Sequence, residues 1–343
     1  MEPRREQQTQ GGAMRLRRRL VLAASLGFLT ALPATRLAAQ GTPAASAWSF
    51  TDDHGTDITL PARPERIVAH LNSAATLWDY GIHPVGIFGE LVREDGAASP
   101  LLGNIDLDGM TILGDTYGPI DLEALAVLKP DLIVSTTYSP GVTNDVWGLD
   151  PEVAEKAALI APIAAISTFE TPVTASLQRF EDLARALGAD LEAPEVIAAR
   201  QRFARASEAV RAAAAGNPEL TVLVMSAWPE SIYVANPSAA SDLMYFQELG
   251  VNLVSPEHPD SYWEELSWEQ ALKYPADLIL LDERDGGFTR ENVADAPVTF
   301  AAHPAVKAGQ IGDWYTEFVL SYDAMATILE QLAATLAAAR PLG

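Results

Sequence analysis

Short apolar runs alternate with helical patterns through the first half of the chain. Four runs are nearly all apolar, which is typical of strands buried on both faces of a sheet: 66–71, 85–88, 131–134 and 162–166. Between them lie helical patterns over 73–80, 122–128 and 151–159, of which the first is ended by Gly81 and the second by Pro130. Asp121 stands where it can cap the second of these helices.

The second half repeats this plan. Strands are predicted over 221–225 and 277–281, and helices over 241–249 and 267–274. Because strands that alternate with helices form parallel sheets covered on both faces, the predicted fold class is α/β.

The two halves also share a local register. Glu123 stands eight residues before the run DLIV that begins at Asp131, and Glu269 stands eight residues before the run DLIL that begins at Asp277. Each glutamate is predicted in the first turn of a helix that ends at a proline and leads into a buried strand. Two related α/β lobes, similar to Rossmann folds, are the economical interpretation.

Residues 195–215 contain no glycine and no interior proline, and they predict one long helix. Its apolar stripe of Val196, Phe203 and Val210 is narrow. About 20 residues extend about 30 Å, which is enough to connect two domains. An ordinary surface helix of one lobe is the alternative interpretation. We predict an N-terminal lobe, a linking helix and a C-terminal lobe over 48–193, 194–216 and 217–343.

The N-terminus has the pattern of an export signal. Four arginines, at positions 15, 17, 18 and 19, precede an apolar run over 20–32, and small residues follow. We predict a signal peptide over 1–39 and a flexible leader over 40–47. If translation begins at Met14, residues 1–13 are an upstream extension.

Two features of this signal stay open. Cleavage fits after Ala39 and after Ala47, and both the general and the twin-arginine export routes fit the arginine pattern. Either route predicts a periplasmic or secreted protein. The chain has no cysteine, so it has no site for a lipid anchor of the lipoprotein type.

Composition and charge exclude several classes of function. The 343 residues include 46 Asp and Glu against 23 Lys and Arg, a formal net charge of −23. Such a chain repels phosphate backbones and anionic membranes, so we expect no nucleic-acid partner. The absence of cysteine excludes disulfides, thiolate metal ligands and thiol nucleophiles.

Three motifs resemble the helical-backbone (class III) periplasmic binding proteins, the receptors of ABC importers for ferric siderophores, haem and vitamin B12. They are FTDDHGTDITLPARPERIVA over 50–69, DLEALAVLKPDLIV over 121–134 and HPAVKAGQI over 303–311. The resemblance covers about residues 48–340. It implies two lobes joined by one long helix, a ligand cleft between them, and delivery of the ligand to an ABC permease and ATPase complex by a monomer.

Ligands of open α/β sheets bind outside the carboxyl ends of the strands, so the predicted site follows from the predicted strand ends. Tyr262 lies near it on a connecting loop. The predicted ligand-binding residues are His70, Asn72, Ser73, Arg93, Thr136, Tyr138, Trp228, Trp263, Arg284, Trp314 and Tyr315. Their aromatic rings suit a broad, partly apolar iron chelate, although single rings can equally pack in the core.

Few basic residues are predicted near this cleft. Only Arg93, Arg284 and Arg290 lie on loops that reach it. A triply anionic catecholate or citrate complex needs several convergent guanidinium groups. A neutral or cationic chelate such as a hydroxamate siderophore is therefore favoured.

Glu123 and Glu269 carry a separate hypothesis. In the family that the three motifs resemble, an acidic residue at this point of each lobe pairs with arginines of the permease. A glutamate in the first turn of a helix also favours the positive end of the helix dipole, which needs no partner.

Three alternatives remain at this stage. A haem or cobalamin receptor has the same fold, with His70 or Tyr138 as conceivable axial ligands. A bare zinc or manganese receptor needs convergent histidines, whereas the five here are scattered, at positions 54, 70, 83, 258 and 303. An enzyme is disfavoured because the chain has no nucleophile elbow, HExxH, phosphate loop or GxGxxG motif. We predict no catalytic residue, no protein-held metal and no cofactor.

Overall fold

The computed structural model describes residues 47–142, 144–257 and 262–343. The predicted signal peptide, nearly all of the predicted leader, and His258 lie outside the described residues. The described chain begins with an antiparallel hairpin of β1 (Trp48–Thr51) and β2 (Asp57–Leu60). Within the described ranges, no helix is both long and apolar enough to span a bilayer.

The first lobe is a five-stranded parallel sheet in the order β5-β4-β3-β6-β7. Its strands are β3 (Ile67–His70), β4 (Gly86–Phe88), β5 (Thr111–Gly114), β6 (Leu132–Thr137) and β7 (Ile163–Ser167). Its helices are α1 (Leu71–Asp79), α2 (Leu122–Leu128), α3 (Pro151–Ala158) and α4 (Val173–Ala186). Every residue of β3 and β6 is buried, as the continuous apolar runs predict.

The second lobe is a mixed six-stranded sheet in the order β11-β9-β8-β12-β13, with β10 paired to β8. Its strands are β8 (Thr221–Ala227), β9 (Ile232–Ala235), β10 (Asn252–Leu253), β11 (Trp263–Leu266), β12 (Leu278–Asp282) and β13 (Ile311–Trp314). Strands β10, β12 and β13 run parallel to their neighbours, whereas β9 is antiparallel to both β8 and β11.

The prediction of a wholly parallel second sheet is therefore wrong at one edge. A turn closed by a hydrogen bond from Trp228 N to Ser231 O (2.8 Å) joins β8 directly to β9. So short a connection permits only an antiparallel pair, because a parallel pair needs a long crossover.

A single helix connects the lobes along the chain. α5 (Pro194–Gly216) follows α4 and leads into β8, and its predicted stripe of Val196, Phe203 and Val210 is buried. It packs against the C-terminal helix α8 (Tyr322–Ala338). Arg202 joins the two helices through salt bridges to Asp323 (2.9 Å) and Glu330 (2.7 Å).

Two short helices of the second lobe complete the described fold, α6 (Ser241–Glu248) and α7 (Pro304–Ala308). The helix predicted over 267–274 is only a 3₁₀ turn, Trp268–Gln270, with a capping box between Ser267 and Gln270. Past this turn, Lys273 donates to the buried carboxylate of Glu264 on β11 (2.5 Å), and Tyr274 also binds it. These contacts hold the segment after the turn against β11.

Candidate functional site

The carboxyl ends of strands from both lobes face the space between them, and two adjoining cavities lie there. The larger, of about 550 Å³, is lined mainly by rings from both lobes. The smaller, of about 330 Å³, is lined by polar groups that follow β3, β4, β12 and β13. Trp147 and Arg284 line both cavities, so they form the partition within one cleft.

The larger cavity is called the aromatic compartment here, and it is lined by Tyr138, Trp147, Phe169, Tyr262, Trp263 and Arg284. Tyr138 and Trp147 come from the first lobe, and their ring centroids are 4.8 Å apart. Tyr262, from the second lobe, lies 6.0 Å from the Tyr138 ring and 5.0 Å from the Trp263 ring. Edge-on rings of this kind present a rigid apolar wall to a broad ligand.

Arg284 stands at the centre of the cleft, two residues past the end of β12. Its Nε donates to the buried carboxylate of Asp282 (2.6 Å), and its guanidinium lies 5.8 Å from each of the Trp228 and Trp263 rings. Burial opposes its charge, but Asp282 outweighs that effect and raises the pKa of the guanidinium. Its terminal amino groups have no hydrogen-bond acceptor among the described residues, which leaves them available to a ligand.

The smaller cavity is called the His70 compartment here. His70 is buried, and its Nδ1 lies 2.8 Å from Asn72 Oδ1, which also accepts from Ser73 Oγ (3.2 Å). Burial lowers the pKa of His70 to about 4, so the imidazole is neutral near pH 7. The ring is held by its own neighbours in the chain.

Each predicted cleft arginine has a carboxylate partner. Arg93 pairs with Asp285 (2.8 Å), Arg284 with Asp282, and Arg290 with Asp313. Arg93 also donates to the backbone carbonyl of residue 283 (3.3 Å), so it ties the first lobe to the second. No surplus of positive charge remains on these three side chains.

Glu317, which the sequence analysis did not single out, lines the His70 compartment. Its Oε2 accepts from Trp147 Nε1 (3.1 Å), a contact between the lobes. Burial raises the pKa of this carboxyl group; the hydrogen bond from Trp147 and the charge of Arg284 oppose the shift, and the charge of Glu90 adds to it. The cleft therefore contains a carboxyl group whose ionised form is disfavoured by burial.

Most of the predicted ligand-binding residues come together in this cleft. The His70 compartment is lined by His70, Arg93, Trp228, Arg284 and Tyr315. Tyr138 and Trp263 join Arg284 in the aromatic compartment. Asn72 lies one layer behind, in a small gap beside Tyr138.

Four predicted residues line neither compartment: Asn72, Ser73, Thr136 and Trp314. Trp314 is the last residue of β13, and its Nε1 donates to buried Asp242 (2.6 Å) inside the core. Because successive strand residues point to opposite faces, Tyr315 reaches the cleft instead. Ser73 is turned towards Asn72, and Thr136 is enclosed within β6.

Four lining residues were not predicted from the sequence: Trp147, Phe169, Tyr117 and Glu317. Phe169 stands two residues past β7, so the strand-end rule could have found it. Trp147 comes from the irregular segment between β6 and α3, where no periodic pattern marks it.

Gly148 holds the space beside His70, and its replacement should destabilise the protein. Its φ is +83°, and a Cβ at this position would overlap the imidazole ring. We expect Gly148→Ala to lower the free energy of unfolding by about 2–4 kcal/mol, combining backbone strain and the clash. Gly141→Ala is the matched control, because Gly141 has φ +91° with open space around it. Thermal or urea unfolding measures both variants; equal losses would contradict a role for the His70 contact.

Glu123 and Glu269 lie away from this cleft, both exposed in the first turn of their elements. An exposed apolar side chain accompanies each, Val127 one turn after Glu123 and Leu272 three residues after Glu269. The 3₁₀ turn at Glu269 thus still presents the same pair of groups as α2.

The described residues contain no cluster of three or more histidine, aspartate and glutamate side chains arranged to hold a metal ion. Of the histidines in these ranges, His303 caps α7 and its Nε2 lies 3.0 Å from the backbone carbonyl of Tyr274, while His83 stacks on Trp78 at 4.0 Å. These histidines make separate local contacts and do not converge on one site.

Two α/β lobes that face each other across a ring-lined cleft define a solute-binding protein. The chain belongs to the periplasmic binding protein family, whose sequence profile matches residues 68–316. The family predicted from the three motifs, and the two-lobed α/β fold, are thereby confirmed.

Among solved structures, the chain is similar to DesE, a ferric-siderophore receptor protein from Streptomyces coelicolor. The two share 38% identity over 86% of this chain and 100% of that one, with a TM-score of 0.80. A comparison with curated proteins found no match.

Two further structures resemble the chain in fold. Staphylococcus aureus SirA, solved with staphyloferrin B, is 17% identical over 84% of this chain and 98% of its own, with a TM-score of 0.60. Vibrio cholerae FhuD, solved with Fe³⁺-Desferal, is 20% identical over 80% of this chain and 99% of its own, with a TM-score of 0.56.

Proposed function

We propose that this protein is an extracytoplasmic receptor that captures a ferric siderophore between its lobes and delivers it to an ABC permease. The observation that carries the proposal is the cleft itself, in which rings from both lobes surround Arg284. The similarity to the DesE receptor over that chain's whole length supports the same conclusion. The protein binds and releases its ligand without breaking a bond.

The charges of the cleft favour a neutral or cationic chelate, with hydroxamate siderophores as the class. Arg93 and Arg284 are each engaged with a carboxylate. A triply anionic chelate would meet no unpaired guanidinium there, and it would also meet Glu317. A hydroxamate complex can instead accept hydrogen bonds from the terminal amino groups of Arg284 and contact the rings through its apolar chain.

Delivery to the permease uses one exposed glutamate on each lobe, Glu123 and Glu269. Each stands beside an exposed apolar side chain, Val127 or Leu272, which gives each lobe a charged and an apolar contact. The receptor acts as a monomer in the periplasm or outside the cell, after removal of an N-terminal signal peptide.

Tryptophan fluorescence tests the ligand class directly. The mature protein, from about residue 41, is titrated with ferric hydroxamates, ferric catecholates, ferric citrate, haem, cobalamin, zinc and manganese. Trp147, Trp228 and Trp263 line the cleft, so an absorbing iron chelate should quench emission saturably, at sub-micromolar concentration. Quenching by haem or cobalamin alone would agree with a receptor of this fold but would reject a siderophore as its ligand. A response to bare metal alone would reject the proposed site, and no response to any of them would reject the receptor function.

A further inference from the structure

The His70 compartment contains more carboxylates than guanidinium groups. Its lining includes the carboxylates of Glu90, Glu283, Asp285 and Glu317. Its two guanidinium groups are each held by an aspartate, Asp285 or Asp282. Glu90, Glu283 and Glu317 have no salt-bridge partner among the described residues.

The imidazole of His70 adds an acceptor that is independent of these carboxylates. Asn72 Oδ1 receives a hydrogen bond from Ser73 Oγ and also faces His70 Nδ1, so Nδ1 carries the proton. Nε2 of the neutral ring is then an acceptor. The residue exposes only 4% of its surface. Among the described residues, no hydrogen-bond donor reaches Nε2.

Nε2 lies beside Gly89, which forms part of the wall of the compartment. This edge of the ring faces Gly89 and Gly148, where a Cβ on either glycine would approach Nε2 to 2.9 Å. Gly89 itself lines the compartment. The absence of side chains at both positions keeps the acceptor open, and water or a donor of the ligand must satisfy it.

Glu317 supplies the charge at the same cavity. Only its Oε2 has a protein donor among the described residues, Trp147 Nε1. Burial raises the pKa of this carboxyl group and the neighbouring Glu90 adds to the rise, whereas Trp147 and Arg284 oppose it. A cation beside it would relieve both effects.

We propose that the His70 compartment binds a protonated amine arm of the ferric chelate, with the Glu317 carboxylate and His70 Nε2 as its acceptors. The inference rests on the proposed function, and it divides the cleft by chemistry. The aromatic compartment and Arg284 hold the iron-bearing body of the ligand, while the His70 compartment takes an ammonium group. An acidic or acetylated arm lacks the charge that Glu317 complements.

Three linear ferric trihydroxamates that differ only at one end test this assignment. One ends in a primary amine, the second in the same amine acetylated, and the third in a trimethylammonium group. We expect the primary amine to bind about 10- to 100-fold more tightly than the acetylated chelate, the range of a charge-assisted hydrogen bond. The trimethylammonium chelate should fall between them, because it keeps the charge but has no N–H to donate to either Glu317 or His70.

The variant Glu317→Gln tests whether the preference for the primary amine depends on the Glu317 carboxylate. The substitution keeps the volume and an acceptor for Trp147, and thermal unfolding checks that the fold is kept. We expect it to remove most of the preference for the amine while changing the affinity for the acetylated chelate little. Glu94→Gln, an exposed position outside the compartment lining, is the control and should keep the full preference.

The outcomes separate the two proposals. Equal, tight binding of all three chelates would keep the receptor function and overturn the amine site. A preference that survives in Glu317→Gln would overturn the role of this carboxylate. Trimethylammonium binding as tight as the primary amine would overturn hydrogen bonding to both Glu317 and His70. Failure of all three chelates to bind would reject the hydroxamate class and, with it, the amine site, while the wider panel still tests the receptor function.

Discussion

Replacing Arg284 with alanine should weaken binding of a ferric hydroxamate by about 10- to 100-fold, the value of one or two charged hydrogen bonds. Arg284 lies at the partition between the two compartments, and its terminal amino groups face no acceptor among the described residues. The guanidinium also lies over both the Trp228 and the Trp263 rings. Fluorescence titration with the chelate identified in the first panel measures the loss.

A second variant, Arg284→Lys, separates loss of ligand contact from loss of folding. Alanine leaves the buried carboxylate of Asp282 without its cation, which itself destabilises a protein. Lysine keeps a positive charge near Asp282 but loses the planar fork and most stacking on the two indoles. We expect a stable protein with roughly tenfold weaker binding. Arg290→Ala, which removes only the exposed pair with Asp313, is the matched control. Wild-type affinity in both Arg284 variants would contradict ligand contact by this residue.

Reversing the charge at Glu123 and Glu269 together should abolish transport while leaving ligand binding intact. Both carboxylates are exposed on the outside of their lobes, and neither lines the cleft. If each meets an arginine of the permease, Glu123→Arg with Glu269→Arg places like charges at both contacts, a change that costs several kcal/mol in an interface. We expect uptake of iron-loaded chelate to fall by at least about tenfold in the double variant, and by less in each single variant.

Two further measurements make this result specific. Glu219→Arg and Glu248→Arg carry the same change of charge at other exposed positions and should transport normally. The affinity of the double variant for the chelate should equal that of the unchanged protein. Normal uptake by the double variant would exclude docking through these residues, and loss of chelate binding would instead indicate a role in the cleft.

The sequence determined the features that depend on neighbours along the chain. Continuous apolar runs predicted strands such as β6 and β12, because a strand covered on both faces needs apolar side chains throughout. The absence of breakers predicted the long helix, observed as α5 (Pro194–Gly216). The strand-end rule also located His70, Tyr138, Trp228 and Arg284 in the cleft. The reason is that residues at the carboxyl ends of parallel strands all lie at the same edge of the sheet, where ligands bind.

Only the tertiary structure decided how these residues are combined. The pairing of Arg93 with Asp285 joins positions far apart in the chain, and no local pattern records it. Trp147 reaches the cleft from an irregular segment and binds Glu317 of the other lobe. Trp314 turned inward because Asp242, on α6, offers its indole a buried acceptor. Side-chain direction and charge compensation depend on partners from distant segments, and periodicity along one segment carries no information about them.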